Sequence, residues 1–231
     1  MLLRDFSLVA PHRGAEAKTG AMFLKLLQFF KPEFFLDVGS NVGSYAWTAA
    51  DHDPSLAVWL FEPDEKNVQL LRRTIESNKL SGARLFPVAV ASTNGEIQFL
   101  VDDVSGATGS LEDYSSNDSS LHSQYKLRRF RTVECRCLDS FRDELRGRRV
   151  VIKIDVEGAE DQALAGARRI LAEVRPAILI ECFATAKMRL LQESGYRLYD
   201  LDEGSNWLAM PQEIAERAKL EMPELQVLSS I

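Results

Sequence analysis

The chain has few cysteines, no long apolar run and no surplus of positive charge. Its three cysteines, Cys135, Cys137 and Cys182, show no C-x-x-C spacing, so neither a disulfide framework nor a zinc site is expected. No segment approaches the roughly 18 apolar residues of a membrane helix, and the first residues do not resemble a signal peptide. The formal charge of -6 disfavours sequence-independent binding to nucleic acid. These absences predict a cytoplasmic protein that binds neither membranes nor nucleic acid.

Apolar runs and helical patterns alternate along the rest of the chain. This alternation predicts an α/β fold with a doubly wound, mostly parallel sheet. We expect one domain over 1–231, with a helical extension at 1–33 and an antiparallel hairpin near the C-terminus. The strands expected are 34–38, 57–61, 84–90, 97–101, 150–154, 177–181, 195–199 and 207–210, and the helices expected include 15–30, 63–78 and 159–171.

The segment from 102 to about 130 interrupts this alternation of predicted strands and helices. Its first part is rich in Ser, Asp and Gly and has little apolar periodicity, which is typical of either a lid over a binding site or a surface insertion. A basic run follows, made of Lys126, Arg128, Arg129 and Arg131. Such a run is either a solvated face or a means of attracting an acidic substrate.

The most informative motif is FLDVGSNVGSY at 35–45, which predicts a buried strand, a glycine loop and a helix. Gly39 permits a sharp turn, Asn41 tolerates left-handed dihedrals, and Gly43 permits close packing of the next helix. Asp37 precedes the turn, where its carboxylate would repel a pyrophosphate but attract a cationic ligand. We therefore expect this loop, including Ser40, to contact a ligand at the edge of the sheet.

A second strand leads to Glu62, which lies 19 residues after Gly43. This is close to the roughly 20-residue separation between a glycine loop and the carboxylate that binds ribose hydroxyls. Two carboxylates around one nucleoside pocket favour a positively charged nucleoside, of which S-adenosylmethionine is the common one. A dinucleotide fingerprint requires G-x-G-x-x-G, and here Asn41 stands where its middle glycine would be. An ordinary strand-to-helix turn without a ligand is the remaining alternative. Pro63 and Ala89, at the ends of neighbouring strands, complete the candidate cofactor contacts.

A second motif, VVIKIDVEGAEDQALAGARRIL at 150–171, brings more carboxylates to the same edge. Asp155 and Glu157 alternate with apolar residues and can face one side, and Glu181 ends the next strand. They could accept a substrate proton or hold Mg²⁺. The alternative is that Lys153 and Asp155 form a structural pair and Glu157 caps the helix. We predict no metal site, because hard cations need more oxygen ligands than these.

Several segments together resemble one family, the FkbM-type methyltransferases. The resemblance covers about residues 20–210 and depends on DVGSNVG and KIDVEGAE occurring in this order. The segments that resemble the family are FLDVGSNVGSY, LFEPDEKNVQLLRRTIESN, PVAVASTNGEIQF, CLDSF at 137–141 and IKIDVEGAEDQALAGA. It implies a Rossmann-like class I methyltransferase fold, S-adenosylmethionine as methyl donor, and O-methylation of a hydroxyl on a sugar, polyketide or similar small molecule.

The resemblance also implies roles for individual residues. Asp37, Gly39, Asn41 and Gly43 would line the cofactor, Glu62 would hold its ribose, and the edge at 155–157 would face the acceptor. Because a sugar hydroxyl is a weak nucleophile, we expect a general base. The candidates are Asp155 and, in the candidate lid, His122, with Glu157 beside Asp155.

Two other functions are compatible with a fold of this class. A nucleotide-dependent oxidoreductase is one, although Asp37 and the missing glycine count against it. A non-catalytic nucleoside-binding module is the other. The sequence leaves open the acceptor and the oligomeric state.

Overall fold

The computed structural model describes residues 16–102, 110–111, 128–223 and 225–227. His122 and most of the candidate lid at 102–130 lie outside these residues. The role of His122 and the lid therefore stay predictions. None of the helices within the described ranges has the length and apolar character that a membrane span requires.

The described residues form twelve strands and eight α-helices. The strands are β1 (Phe34–Val38), β2 (Ala57–Phe61), β3 (Ala83–Phe86), β4 (Ala89–Val90), β5 (Gly95–Asp102), β6 (Ser110–Leu111), β7 (Arg128–Arg136), β8 (Val150–Ile154), β9 (Ala177–Glu181), β10 (Tyr196–Asp200), β11 (Asn206–Pro211) and β12 (Gln226–Val227). The α-helices are α1 (Ala17–Phe30), α2 (Ser44–His52), α3 (Glu65–Asn78), α4 (Arg142–Leu145), α5 (Glu160–Ala165), α6 (Arg168–Glu173), α7 (Arg189–Glu193) and α8 (Gln212–Glu221).

Eight strands form the central sheet, in the order β3-β2-β1-β8-β9-β11-β10-β12. From β3 to β9 all neighbours pair in parallel, whereas β11 pairs antiparallel with both β9 and β10. The predicted C-terminal hairpin is confirmed, and it supplies the antiparallel part of the sheet. The α/β class with a mostly parallel sheet is confirmed as well.

Apolar side chains cover both faces of this sheet, as expected for parallel strands. One apolar cluster joins the sheet to α1, α2 and α8, where Phe23 packs on Phe35 with ring centroids 4.9 Å apart. The opposite cluster joins it to α4, α5, α6 and α7 through residues such as Leu145, Leu164 and Leu191. The carboxyl ends of β1, β2, β8 and β9 therefore meet at one edge between two helical layers.

The strand predicted at 84–90 is wrong as a single element. It breaks at Pro87 into β3, which belongs to the central sheet, and β4, which pairs with β7 in a second sheet of order β4-β7-β5-β6. Proline has no N–H to donate to a ladder, so the chain changes sheets there. The strand β7, which begins in the basic run, was not predicted.

The helix predicted at 159–171 divides into α5 and α6 around Gly166. A Cβ at Gly166 would lie 2.1 Å from the carbonyl oxygen of Ala91, so the backbones approach too closely for a larger residue. The Asp139 carboxylate accepts hydrogen bonds from the N–H groups of Arg169 and Ile170 and caps the start of α6. This cap lies far away in sequence, which explains why local patterns did not indicate it.

Candidate active site

The glycine loop after β1 adopts the left-handed conformations expected from its sequence. Gly39, Asn41 and Gly43 have φ angles of 80°, 50° and 85°. The N–H groups of Gly39 and Ser40 both donate to the carbonyl oxygen of Phe61, at 3.0 Å, which ties the loop to the end of β2. The expectation that Asn41 tolerates left-handed dihedrals is therefore confirmed.

Gly39 lies directly against the loop that follows β8. A Cβ at this position would lie 1.8 Å from the carbonyl oxygen of Asp155, a separation that no side chain could occupy. At Gly43 a Cβ would meet the ring of Trp47, whose indole N–H donates to the Val42 carbonyl at 2.8 Å. Both glycines are thus required by close packing as well as by their φ angles.

Asp37 is buried and faces the start of α2. One of its carboxylate oxygens accepts a hydrogen bond from the Ala46 N–H at 3.1 Å, and only 2% of the residue is exposed. Burial raises the pKa of Asp37 to about 8, opposed by the nearby charge of Lys153 and by the Ala46 bond. Its position favours an electrostatic influence on the pocket over direct contact with a ligand.

Glu62 occupies the end of β2 with its carboxylate oriented by the backbone. Its two oxygens accept hydrogen bonds from the N–H groups of Asn41 and Asp64, each at 2.8 Å. Burial raises the pKa of Glu62 to about 7, although the Asp64, Asn41 and Asn67 hydrogen bonds oppose the rise. The structure thus brings the predicted acidic residue and the predicted loop into direct contact.

The three remaining cofactor candidates contribute differently to this edge. The Ser40 hydroxyl donates to the carbonyl of Asp37 at 2.7 Å, so its buried side chain supports the turn. Pro63 is half-buried directly after Glu62. Ala89 lies in β4, where its side chain is buried beside Cys135. Their contacts with a cofactor stay predictions.

Three carboxyl groups surround the end of β8, as the second motif predicted. Asp155 lies half-exposed, and the pKa of Glu157 is raised to about 7 by partial loss of hydration and by the charges of Asp155 and Glu181. Burial also raises the pKa of Glu181, whose carboxylate accepts a hydrogen bond from the Ser205 hydroxyl at 3.0 Å. Ser205, in the turn between β10 and β11, was missed because its position depends on the hairpin.

Of the two structural roles considered for this motif, the structure shows only the pairing of Lys153 with Asp155. Lys153 Nζ lies 3.2 Å from Asp155 Oδ2, so the expected pair exists. The expected Glu157 cap is absent, because no side chain among the described residues caps the start of α5, and the Gly158 N–H before the helix donates to Glu160 at 2.6 Å. Glu157 instead has a left-handed φ of 47° and an exposed side chain. Among the described residues no group of three or more His, Cys, Asp or Glu side chains is arranged to hold a metal ion.

The raised pKa of Asp37 predicts that stability falls as pH rises. Between about pH 4 and pH 8 the folded protein keeps a proton on Asp37 that the unfolded chain has lost, so the folded state binds more protons. We expect Asp37 alone to lower the free energy of unfolding by roughly 2 kcal/mol between pH 6 and pH 8, measured by urea unfolding, while Glu62 and Glu157 add to the same slope. Asp37→Asn removes one of the titrating groups and should make this dependence shallower; an equally steep dependence in that variant would contradict the assignment.

Comparison with known proteins shows the family to which the chain belongs. A family model for the methyltransferase FkbM domain matches residues 37–198, which begins at Asp37 and includes Glu62 and Asp155. The 2-O-methyltransferase NoeI of Sinorhizobium fredii is 30% identical over 183 residues, covering 75% of this chain and 72% of NoeI.

A solved structure agrees with the fold. The crystal structure of methyltransferase FkbM from Methylobacillus flagellatus superposes with a TM-score of 0.52 at 19% sequence identity, over 78% of this chain. This chain spans 43% of the length of that protein, so the likeness concerns the shared fold. The family match covers well over half of the chain and includes the glycine loop and both acidic motifs. The protein therefore belongs to the FkbM family and is a methyltransferase.

Proposed function

We propose that this methyltransferase uses S-adenosylmethionine to methylate a hydroxyl group of a small molecule such as a sugar or polyketide. The observation that carries the proposal is the Glu62 carboxylate, which is buried at the end of β2 and oriented by the Asn41 and Asp64 N–H groups. A carboxylate held in this way is suited to accept hydrogen bonds from ribose hydroxyls.

The residues present fit this cofactor. A carboxylate has about four acceptor sites, and on Glu62 the two backbone donors and the Asn67 side chain leave one for a ribose hydroxyl. The ionised forms of Glu62 and Asp37 attract a positively charged sulfonium group, and both groups titrate close to neutral pH. The positive φ angles of Gly39 and Asn41 keep the loop backbone close to this edge. We expect Glu62 to hold the ribose and the loop to line the nucleoside.

The chain's part in the reaction is to orient two ligands and exclude water. When bound, S-adenosylmethionine supplies an activated methyl carbon on a positively charged sulfur. We propose that Asp155 accepts the proton that the acceptor hydroxyl loses. An in-line displacement would then move the methyl group to the acceptor oxygen, and the broken carbon–sulfur bond would leave the sulfur as a neutral thioether. Orientation can contribute roughly 7–11 kcal/mol, whereas a general base contributes about 10²–10⁴-fold, so positioning is the larger effect. Glu157 and His122 remain alternative bases.

Transfer to oxygen is supported by the relative from Sinorhizobium fredii, which is named a 2-O-methyltransferase. The acidic groups at the proposed acceptor edge, Asp155, Glu157 and Glu181, would disfavour a strongly anionic acceptor such as a nucleic acid. A neutral hydroxyl compound suits this edge best. We do not include Mg²⁺ in the proposal, because no three His, Cys, Asp or Glu side chains of the described residues are arranged to hold a metal ion.

Replacement of Glu62 by glutamine tests the cofactor pocket. Glu62→Gln loses the negative charge and half of the acceptor capacity, so we expect the affinity for S-adenosylmethionine to fall roughly 10- to 100-fold in calorimetric titrations. Glu65→Gln is the matched control, because Glu65 is exposed in the first turn of α3. An unchanged affinity in Glu62→Gln would remove the pocket assignment.

Identification of the acceptor requires a transfer experiment. The protein would be incubated with S-adenosylmethionine carrying a labelled methyl group and a metabolite extract, and the labelled product identified by mass spectrometry. We expect one labelled hydroxyl compound. Label on nitrogen or carbon would contradict O-methylation, and cofactor binding without any transfer would favour a non-catalytic binding module.

A further inference from the structure

Beyond the proposed pocket, one buried lysine lies below the acceptor edge. Lys153 lies on β8 directly beside Asp37 of β1, and only 1% of it is exposed. Its ammonium makes no hydrogen bond with the described residues and lies 3.2 Å from Asp155 Oδ2. A buried cation is costly unless opposite charges surround it, and an apolar residue would serve better in a purely structural role.

Carboxyl groups from four parts of the chain surround this ammonium. Asp37 comes from β1, Asp155 follows β8, Glu181 ends β9, and Glu16 precedes α1. Burial lowers the pKa of Lys153, but the four carboxyl groups, Asp155 foremost, outweigh burial and raise it. Lys153 therefore stays charged and acts as the shared countercharge of this cluster.

Tyr45 of α2 holds the ammonium from the other side. Its ring centroid lies 5.0 Å from Lys153 Nζ, within cation–π distance, and its hydroxyl donates to Glu16 at 2.6 Å. Glu203, in the turn before β11, accepts hydrogen bonds from the N–H groups of Lys18 and Thr19 and anchors the start of α1. The Tyr45 ring of α2 therefore contacts the ammonium, and the hydrogen bonds of Glu203 anchor the segment that carries Glu16 to the C-terminal hairpin.

We propose that Lys153 is a positioning residue for methyl transfer: its buried ammonium orients the Asp155 carboxylate and lets several carboxyl groups gather at the acceptor edge. The inference rests on the proposed function, because it takes Asp155 as the proton acceptor. Lys153 itself does not contact the acceptor. It acts through Asp155, and its positive charge opposes the rise that burial causes in the pKa of Asp37, Glu157 and Glu181.

Lys153→Met removes the charge while keeping a side chain of similar length. Loss of the ammonium should raise the pKa of Glu157, about 7 in the native protein, and that of Glu181 by about one unit or more. Carboxyl carbon NMR titration of the ligand-free protein measures both. The transfer of labelled methyl groups into a metabolite extract at pH 7 should fall about 10-fold or more, with partial recovery at higher pH.

Lys18→Met is the matched control, since Lys18 pairs with Asp202 on the surface. It should leave the titrations of Glu157 and Glu181 unchanged. A structural role alone would lower the stability of Lys153→Met but would not move these titrations, so unchanged pKa values in that variant would overturn the proposal. Because the titrations need no cofactor, they decide the role of Lys153 even if S-adenosylmethionine fails to bind and the proposed function falls.

A second variant covers the case in which Lys153→Met does not fold. Asp155→Asn takes away the nearest countercharge and should lower the pKa of Lys153, as measured by nitrogen NMR of its ammonium group. The expected shift is about one unit. A Lys153 titration that is the same in Asp155→Asn and in the native protein would also overturn the proposal.

Discussion

Gly39→Ala is expected to lower the free energy of unfolding by about 2–5 kcal/mol and to abolish cofactor binding. A residue other than glycine at φ 80° costs about 1–2 kcal/mol, and overpacking typically costs a further 1–3 kcal/mol. The added methyl carbon would lie 1.8 Å from the carbonyl oxygen of Asp155, so β1 and the loop after β8 would have to separate. Urea unfolding measures the stability, and calorimetry with S-adenosylmethionine measures the pocket.

Gly204→Ala supplies a control with nearly the same backbone strain. Gly204 has a φ of 72°, and a Cβ there would meet no heavy atom within 4 Å. We expect Gly204→Ala to lower the free energy of unfolding by only about 1–2 kcal/mol and to leave the cofactor affinity unchanged. Equal losses in the two variants would show that the contact between Gly39 and Asp155 does not constrain the site.

Asp155→Asn is expected to slow methyl transfer by about 10²–10⁴-fold, the usual contribution of a general base. The amide cannot accept the hydroxyl proton, although it nearly preserves the shape of the side chain. The Glu62 carboxylate and its two backbone donors remain, so the affinity for S-adenosylmethionine should change only about two- to threefold. Single-turnover transfer of labelled methyl groups and calorimetry separate the two effects.

The control for this substitution is Asp143→Asn. Asp143 pairs with Arg142 on the surface, with 84% of its side chain exposed. Methyl transfer should be unaffected there. A full transfer rate in Asp155→Asn would exclude Asp155 as the base, and a proton acceptor would then have to be sought at Glu157 or His122.

Much of the central sheet could be predicted because local patterns determine it. The apolar runs at β1, β2, β8 and β9 are each about five residues long and have glycine, proline or a charged residue at one end or both, so their limits agree with the structure. The conformation of Asn41 was likewise predictable, because few residues besides glycine adopt positive φ angles. The proximity of Glu62 to this loop followed from the adjacency of parallel strand ends.

Other features depend on contacts that a linear pattern does not contain. The break at Pro87 was visible as a proline, but that the chain then enters a second sheet depends on β7, more than 40 residues later. The division of α5 from α6 depends on Asp139 and on the close approach of Gly166 to Ala91. In each case the deciding partner is distant in sequence.

By itself the sequence determined strands β1, β2, β8 and β9, the left-handed glycine loop and the acidic residues at the strand ends, since each follows from short-range stereochemistry and periodicity. Only the tertiary structure decided that Lys153 lies beneath Asp155 and that Glu16 and Tyr45 belong to the same cluster. Electrostatic interactions depend on distance and burial, which separation along the chain does not specify. The interactions between the charges of the site therefore depend on the tertiary structure.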